Sequence, residues 1–133
     1  MDQGPLVTEE IDAGAEMIRR FNQYAPIKVA FWLRAGGDDA PRSLYLTSDQ
    51  IQDADVYDAY GETGRLIDEI DSPYLTVFNI KVIDGTDPLA LSVAEINKNH
   101  PKRHGTRLRW QTFGDLFVED IYIYPPSVLV AVP

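Results

Sequence analysis

The hydrophobic pattern of this 133-residue chain predicts an α+β domain. The expected architecture is a single mixed sheet of about five strands, order αββαβαββ, with three helices packed on it. Three observations predict it. Three stretches repeat apolar residues at three-to-four spacing. Residues 27–34 form a run that is apolar on both faces. Two alternating runs close the globular part, separated only by Gly114-Asp115.

The first helix is expected over residues 9–24, with Thr8 as cap and Glu9, Glu10 and Asp12 at the positive end of the dipole. Ile11, Ala15, Ile18 and Phe21/Asn22 make its inward stripe, Gly14 and Met17 lie beside it, and Pro26 stops it. Ile27, Val29, Phe31 and Leu33 then point one way, while Ala30 and Trp32 make the other face apolar too. That two-sidedness marks an interior strand. Gly36-Gly37 and their polar neighbours supply a turn, and Ser43–Thr47 returns as a hairpin partner.

A second helix is expected over residues 53–70, its inward face running from Val56 to Ile70. Gly61 and Gly64 inside it imply close backbone approach to the sheet, or else fraying. Ser72-Pro73 ends it, and Ile80–Ile83 is the third strand. Leu75–Phe78 reads either as an extension of that strand or as a separate turn. Asp87 caps a third helix with Pro88 at its first position, and the helix runs to about Lys98.

The last pair, Thr106–Phe113 and Leu116–Tyr124, suits a two-residue turn with Gly first. Pairing Phe113 with Leu116 sets Arg109 opposite Asp120, Trp110 opposite Glu119 and Leu108 opposite Ile121. An Arg109–Asp120 cross-strand ion pair follows, with Arg107 lying over Tyr122. The whole chain, 1–133, reads as one domain: a globular part at 8–124 and an apolar tail at 125–133. The tail is either a frayed terminus or an edge strand that would join a second copy.

Three of these patterns carry a resemblance: Ala30-Phe31-Trp32-Leu33 after the first helix, Asp87-Pro88-Leu89 before a later one, and Val118-Glu119-Asp120-Ile121-Tyr122-Ile123-Tyr124 near the end. Together they resemble a group of small bacterial proteins with an alanine–hydrophobic–Trp–Leu strand and a closing Glu-Asp strand with Tyr-Ile-Tyr. The likeness spans residues 9 to 124. It implies the fold and adds nothing about activity.

Composition removes whole classes of function. A net charge of −9 disfavours a generally cationic nucleic-acid binder. The absence of cysteine excludes disulfides, thiol catalysis and thiolate metal sites. No apolar run approaches the roughly 20 residues of a membrane span, and the acidic start is no signal peptide. A cytoplasmic, bacterial-type protein without membrane contact is expected. Phosphate-binding loops, dinucleotide fingerprints and nucleophile elbows are absent, and no cofactor is expected.

The charge is unevenly spread. Lys98 to Arg109 holds five of the twelve basic residues and no acid, whereas Asp49 to Asp71 holds eight acids against Arg65 alone. Lys102, Arg103, His104, Arg107 and Trp110 are therefore the candidate anion site, with cations for phosphate or carboxylate and an indole for stacking. His100 and His104 have the spacing of a helical metal pair, but Pro101 between them breaks the helix. A metal there would need Glu119 or Asp120 as well, so none is expected. The same histidines could serve as a general acid/base pair only beside a carboxylate in a cleft. The leading expectation is a non-enzymatic protein acting by association, with itself as a homodimer or with a protein partner. Its contacts would be the opposed acidic and basic surfaces and the apolar tail. The alternative is an anionic ligand or nucleic acid held by residues 98–109.

Overall fold

Five strands form one sheet in the order β3-β2-β1-β5-β4, with helices on both faces; this is a computed structural model that describes residues 6–35, 41–99, 105–113 and 116–129. The elements are α1 (Thr8–Tyr24), β1 (Val29–Ala35), β2 (Ser43–Ser48), α2 (Val56–Ile70), β3 (Ile80–Asp84), α3 (Pro88–Lys98), β4 (Thr106–Phe113) and β5 (Leu116–Ile123). The predicted α+β order and the mixed sheet are both present. β2 and β3 run parallel across the α2 crossover, and every other pairing is antiparallel.

β1 lies at the centre because its sequence offers apolar side chains to both layers. On one face Ala30 and Trp32 join Leu44, Leu46, Ile80 and Val82 beneath α1 and α2. On the other, Val29, Phe31 and Leu33 join Val118, Ile121 and Ile123 beneath Val93 of α3. Full burial of one such side chain is worth about 1.5–3 kcal/mol, so Trp32, 1% exposed, is a principal anchor. Its indole Nε1 donates to Tyr124 Oη at 2.9 Å, and that hydroxyl donates to Ile11 O at 2.6 Å.

α1 crosses this pair at Gly14. A Cβ there would collide with the Tyr124 hydroxyl and lie 2.8 Å from Trp32 Nε1. Close approach therefore belongs to Gly14. At Gly61 and Gly64, where the sequence suggested it, a Cβ would meet nothing within 4 Å. Thr8 is helical and caps nothing; Val7 is the N-cap residue, without a side-chain bond. Residues 53–55 form a 3-10 turn ahead of α2, closed by reciprocal Gln52 and Asp55 contacts. Asp87 caps α3 as expected, accepting from Leu89 N at 2.9 Å.

Leu75–Phe78 forms turns and does not extend β3. In the tail, Pro126–Leu129 is a single 3-10 turn, and Val128 and Leu129 pack against the α1-side core. That packing replaces the expected edge strand as far as residue 129; residues 130–133 lie outside the described part. Among the described residues, no helix is long and apolar enough to cross a membrane.

Candidate functional site

β4 is an edge strand, and with β5 it forms a hairpin that continues past the end of β1. The predicted register is present: Arg109 faces Asp120, Leu108 faces Ile121 and Phe113 faces Leu116. Trp110 and Glu119 do not pair regularly, because Trp110 adopts a left-handed backbone, φ 56°. That conformation is uncommon for a bulky residue. At the same level the β1–β5 register shifts between Arg34 and Ala35.

The irregularity reverses the side-chain alternation of both strands. Leu108 and Phe113 reach the same α3-side core although their positions differ in parity, and so do Ile121 and Val118. Trp110 and Phe117 are thereby turned together onto the opposite face. Their rings stack at 6.0 Å with 28° between planes. Trp110 is 63% exposed and Phe117 50%, with Leu116 exposed beside them. An exposed aromatic pair on a hairpin arm is the distinctive feature of this edge.

The cations around it are differently engaged. Arg107 donates from Nε to Asp120 Oδ1 at 3.1 Å and from Nη2 to Oδ2 at 2.7 Å. Asp120 is thus bound by Arg107, diagonal to it, in place of the expected Arg109. Arg109 is exposed, and its carbonyl accepts from Gln111 Nε2 at 3.0 Å. That side-chain bond blunts the strand edge against addition of another strand. Nearby on the α1 face, buried Arg42 meets Glu10 at 3.0 Å.

Of the five candidate site residues, Arg107 and Trp110 lie within the described part, both on β4. Arg107 is held by Asp120, while Trp110 stacks on Phe117 and remains exposed. Lys102, Arg103 and His104 lie outside the described residues, as do His100 and the Gly114-Asp115 turn. Among the described residues, no cluster of His, Asp or Glu could hold a metal ion.

Sequence reasoning missed a second apolar patch at the opposite edge. In the turn before β3, Asn79 Oδ1 accepts from Thr76 N at 2.9 Å, and Asn79 Nδ2 donates to Tyr74 O at 2.8 Å. Phe78 N donates to Thr76 Oγ1 at 3.2 Å. These bonds fix the turn while its tip presents Val77, 64% exposed, and Phe78, 83% exposed. The available signal was an apolar pair between two turn-forming polar residues.

Comparison with protein-family models, with curated proteins and with solved structures finds no match. Function must therefore be argued from this chain's own surfaces.

Charge differs along the chain around the two patches: exposed Arg109 adjoins Trp110, and acids come ahead of the Phe78 turn. Asp68, Glu69 and Asp71 precede it along the chain and are exposed. Arg65, the base of that helix, is already bound by Glu62 and Glu69, each at 2.6 Å. These contacts, Glu62's hydrogen bond first, raise the guanidinium's pKa. Both patches lie at one end of the sheet. Leu44 faces both Trp32 and Ile80, and Leu44 N donates to Asn79 O at 2.7 Å, so Phe78 sits beyond the Trp32 level toward Arg34. Trp110 lies beyond Arg109, which shares Asp120 with Arg34.

Proposed function

We propose that the protein acts by self-association, as a homodimer in which the Trp110–Phe117 arm of one copy packs on the Val77–Phe78 turn of the other. One observation carries this reading: the two exposed apolar patches stand at opposite edges of the same sheet end, with Arg109 next to Trp110 in the chain and exposed acids ahead of the Phe78 turn. A two-fold axis normal to the sheet at that end sets the β4 edge of each copy against the β3 edge of its partner. The contact then forms twice and closes. Tryptophan and phenylalanine supply the desolvated anchors, with Arg109 against the acids at the end of α2 as a salt-sensitive rim. Val128 and Leu129 of the tail are spent on the chain's own core and take no part. A non-enzymatic role in the cytoplasm fits this reading.

Light scattering across protein concentration and ionic strength tests it. Trp110→Ala and Phe78→Ala should each yield monomer, and mixing the two variants should partly restore the dimer, since the hybrid keeps one complete contact. A wild-type chain that stays monomeric at all concentrations overturns the reading. A chain whose Trp110 responds to single-stranded oligonucleotide and not to its own concentration would do the same, and would favour the nucleic-acid alternative.

A further inference from the structure

The Gln111 side chain reaches back across Trp110: its Nε2 donates to Arg109 O at 3.0 Å. The bond joins the residue after the left-handed Trp110 to the carbonyl before it. A kinked residue brings its two neighbours closer than an extended one does, so the kink and the bond support each other. Gln111 is a firm base for such a tie, because it pairs with Val118, which is fully buried. What the tie holds is the face on which the Trp110 ring lies. Strict alternation from Leu108 would place Trp110 on the α3 face and lift Phe113 off it. The kink keeps Phe113 in that core and Trp110 beside Phe117 on the opposite face.

We propose that Gln111 is a positioning residue, its carboxamide clamping the kink so that the Trp110–Phe117 pair is presented before a partner arrives, a role that rests on the homodimer reading. A left-handed backbone costs a bulky residue free energy, and so do two half-open aromatic rings. Covering the rings offsets both costs, with the least ordering left to do if the arm already holds its bound form. A copy whose arm has straightened does not bind, so apparent affinity falls with the clamped fraction. The two-fold contact uses two arms, and the loss enters twice.

Gln111→Met keeps the side chain's length, removes the donor and leaves the charge of the arm unchanged. Its effect on the arm is read by NMR in the Phe78→Ala chain, which the homodimer reading makes monomeric. There Gln111→Met should move the Trp110 Cα and Cβ resonances toward extended values and weaken the Trp110–Phe117 Overhauser contacts, with the urea midpoint nearly unchanged. In the otherwise wild-type chain, light scattering should show the dimer dissociation constant rising by up to about fivefold per arm, or up to about 25-fold in all. Trp110 resonances and ring contacts that Gln111→Met leaves unchanged would overturn the clamp, whether or not the dimer weakens. A released Trp110 with a dimer of wild-type strength would overturn its positioning role. In a wild-type chain that never dimerises, released Trp110 resonances would still support the clamp and overturn only the contact it serves.

Discussion

Arg107 binds Asp120 through two hydrogen bonds, although Arg109 is the residue that faces Asp120 across the strands. The diagonal geometry lets a guanidinium fork meet both carboxylate oxygens, which a directly opposed side chain next to a left-handed residue does not. Arg107→Ala leaves a buried carboxylate without this partner and should cost about 2 kcal/mol. Arg109→Ala should fall within about 0.5 kcal/mol of wild type. Urea unfolding of the two variants checks the difference, and equal losses would mean that both arginines serve Asp120.

Two glycine classes should behave oppositely. Gly14→Ala forces α1 away from the Trp32–Tyr124 pair and should destabilise by at least about 2 kcal/mol, as overpacking does. Gly61→Ala and Gly64→Ala place a methyl group in open space inside α2, and each should stabilise by about 0.5–1 kcal/mol. Thermal unfolding of the three variants measures this.

These contrasts show which parts of the molecule were readable from sequence. β1 announced its central place because both faces of residues 29–33 are apolar, and Asp87-Pro88 announced α3 because capping is local chemistry. The β4–β5 register followed from turn length and alternation. The reversal at Trp110 did not, since nothing local distinguishes a left-handed Trp110 from an extended one. It is imposed where β5 must pair with β1 and β4 at once across a shifted register. Gly14 and Gly61 look alike in sequence; only the position of Tyr124, more than a hundred residues from Gly14, separates them. The Phe78 patch escaped because its meaning depends on which end of the sheet the turn reaches.

Tyr124 makes stability depend on alkaline pH. Burial above all raises its phenol's pKa. The unfolded chain therefore loses this proton first, from about pH 10. The contribution is fully present below that pH and declines above it. Tyr124→Phe should lose about 1–3 kcal/mol near neutral pH by leaving the Trp32 indole unpaired. It should also decline less steeply above about pH 10. Some slope should persist, because burial raises Tyr45 and Tyr122 as well. Urea midpoints between about pH 8 and pH 11 test the prediction.

Tyr60 guards the other sheet edge. β3 is an edge strand, and Val82 N donates to the Tyr60 hydroxyl at 3.0 Å. A side chain from α2 thus occupies a backbone group that could otherwise template another strand. Tyr60→Phe keeps the ring and removes the acceptor. The expected loss of stability is small, about 0.5–1 kcal/mol, because the freed N–H can turn to water. The larger effect should be on association. Pairing through an unblocked edge is made of backbone hydrogen bonds, so it should grow with concentration and resist salt, whereas a dimer rimmed by Arg109 and the α2 acids should weaken in salt. Light scattering of Tyr60→Phe at low and high ionic strength separates the two modes. A variant that remains as salt-sensitive as the wild-type chain would show that the β3 edge is protected by something other than Tyr60.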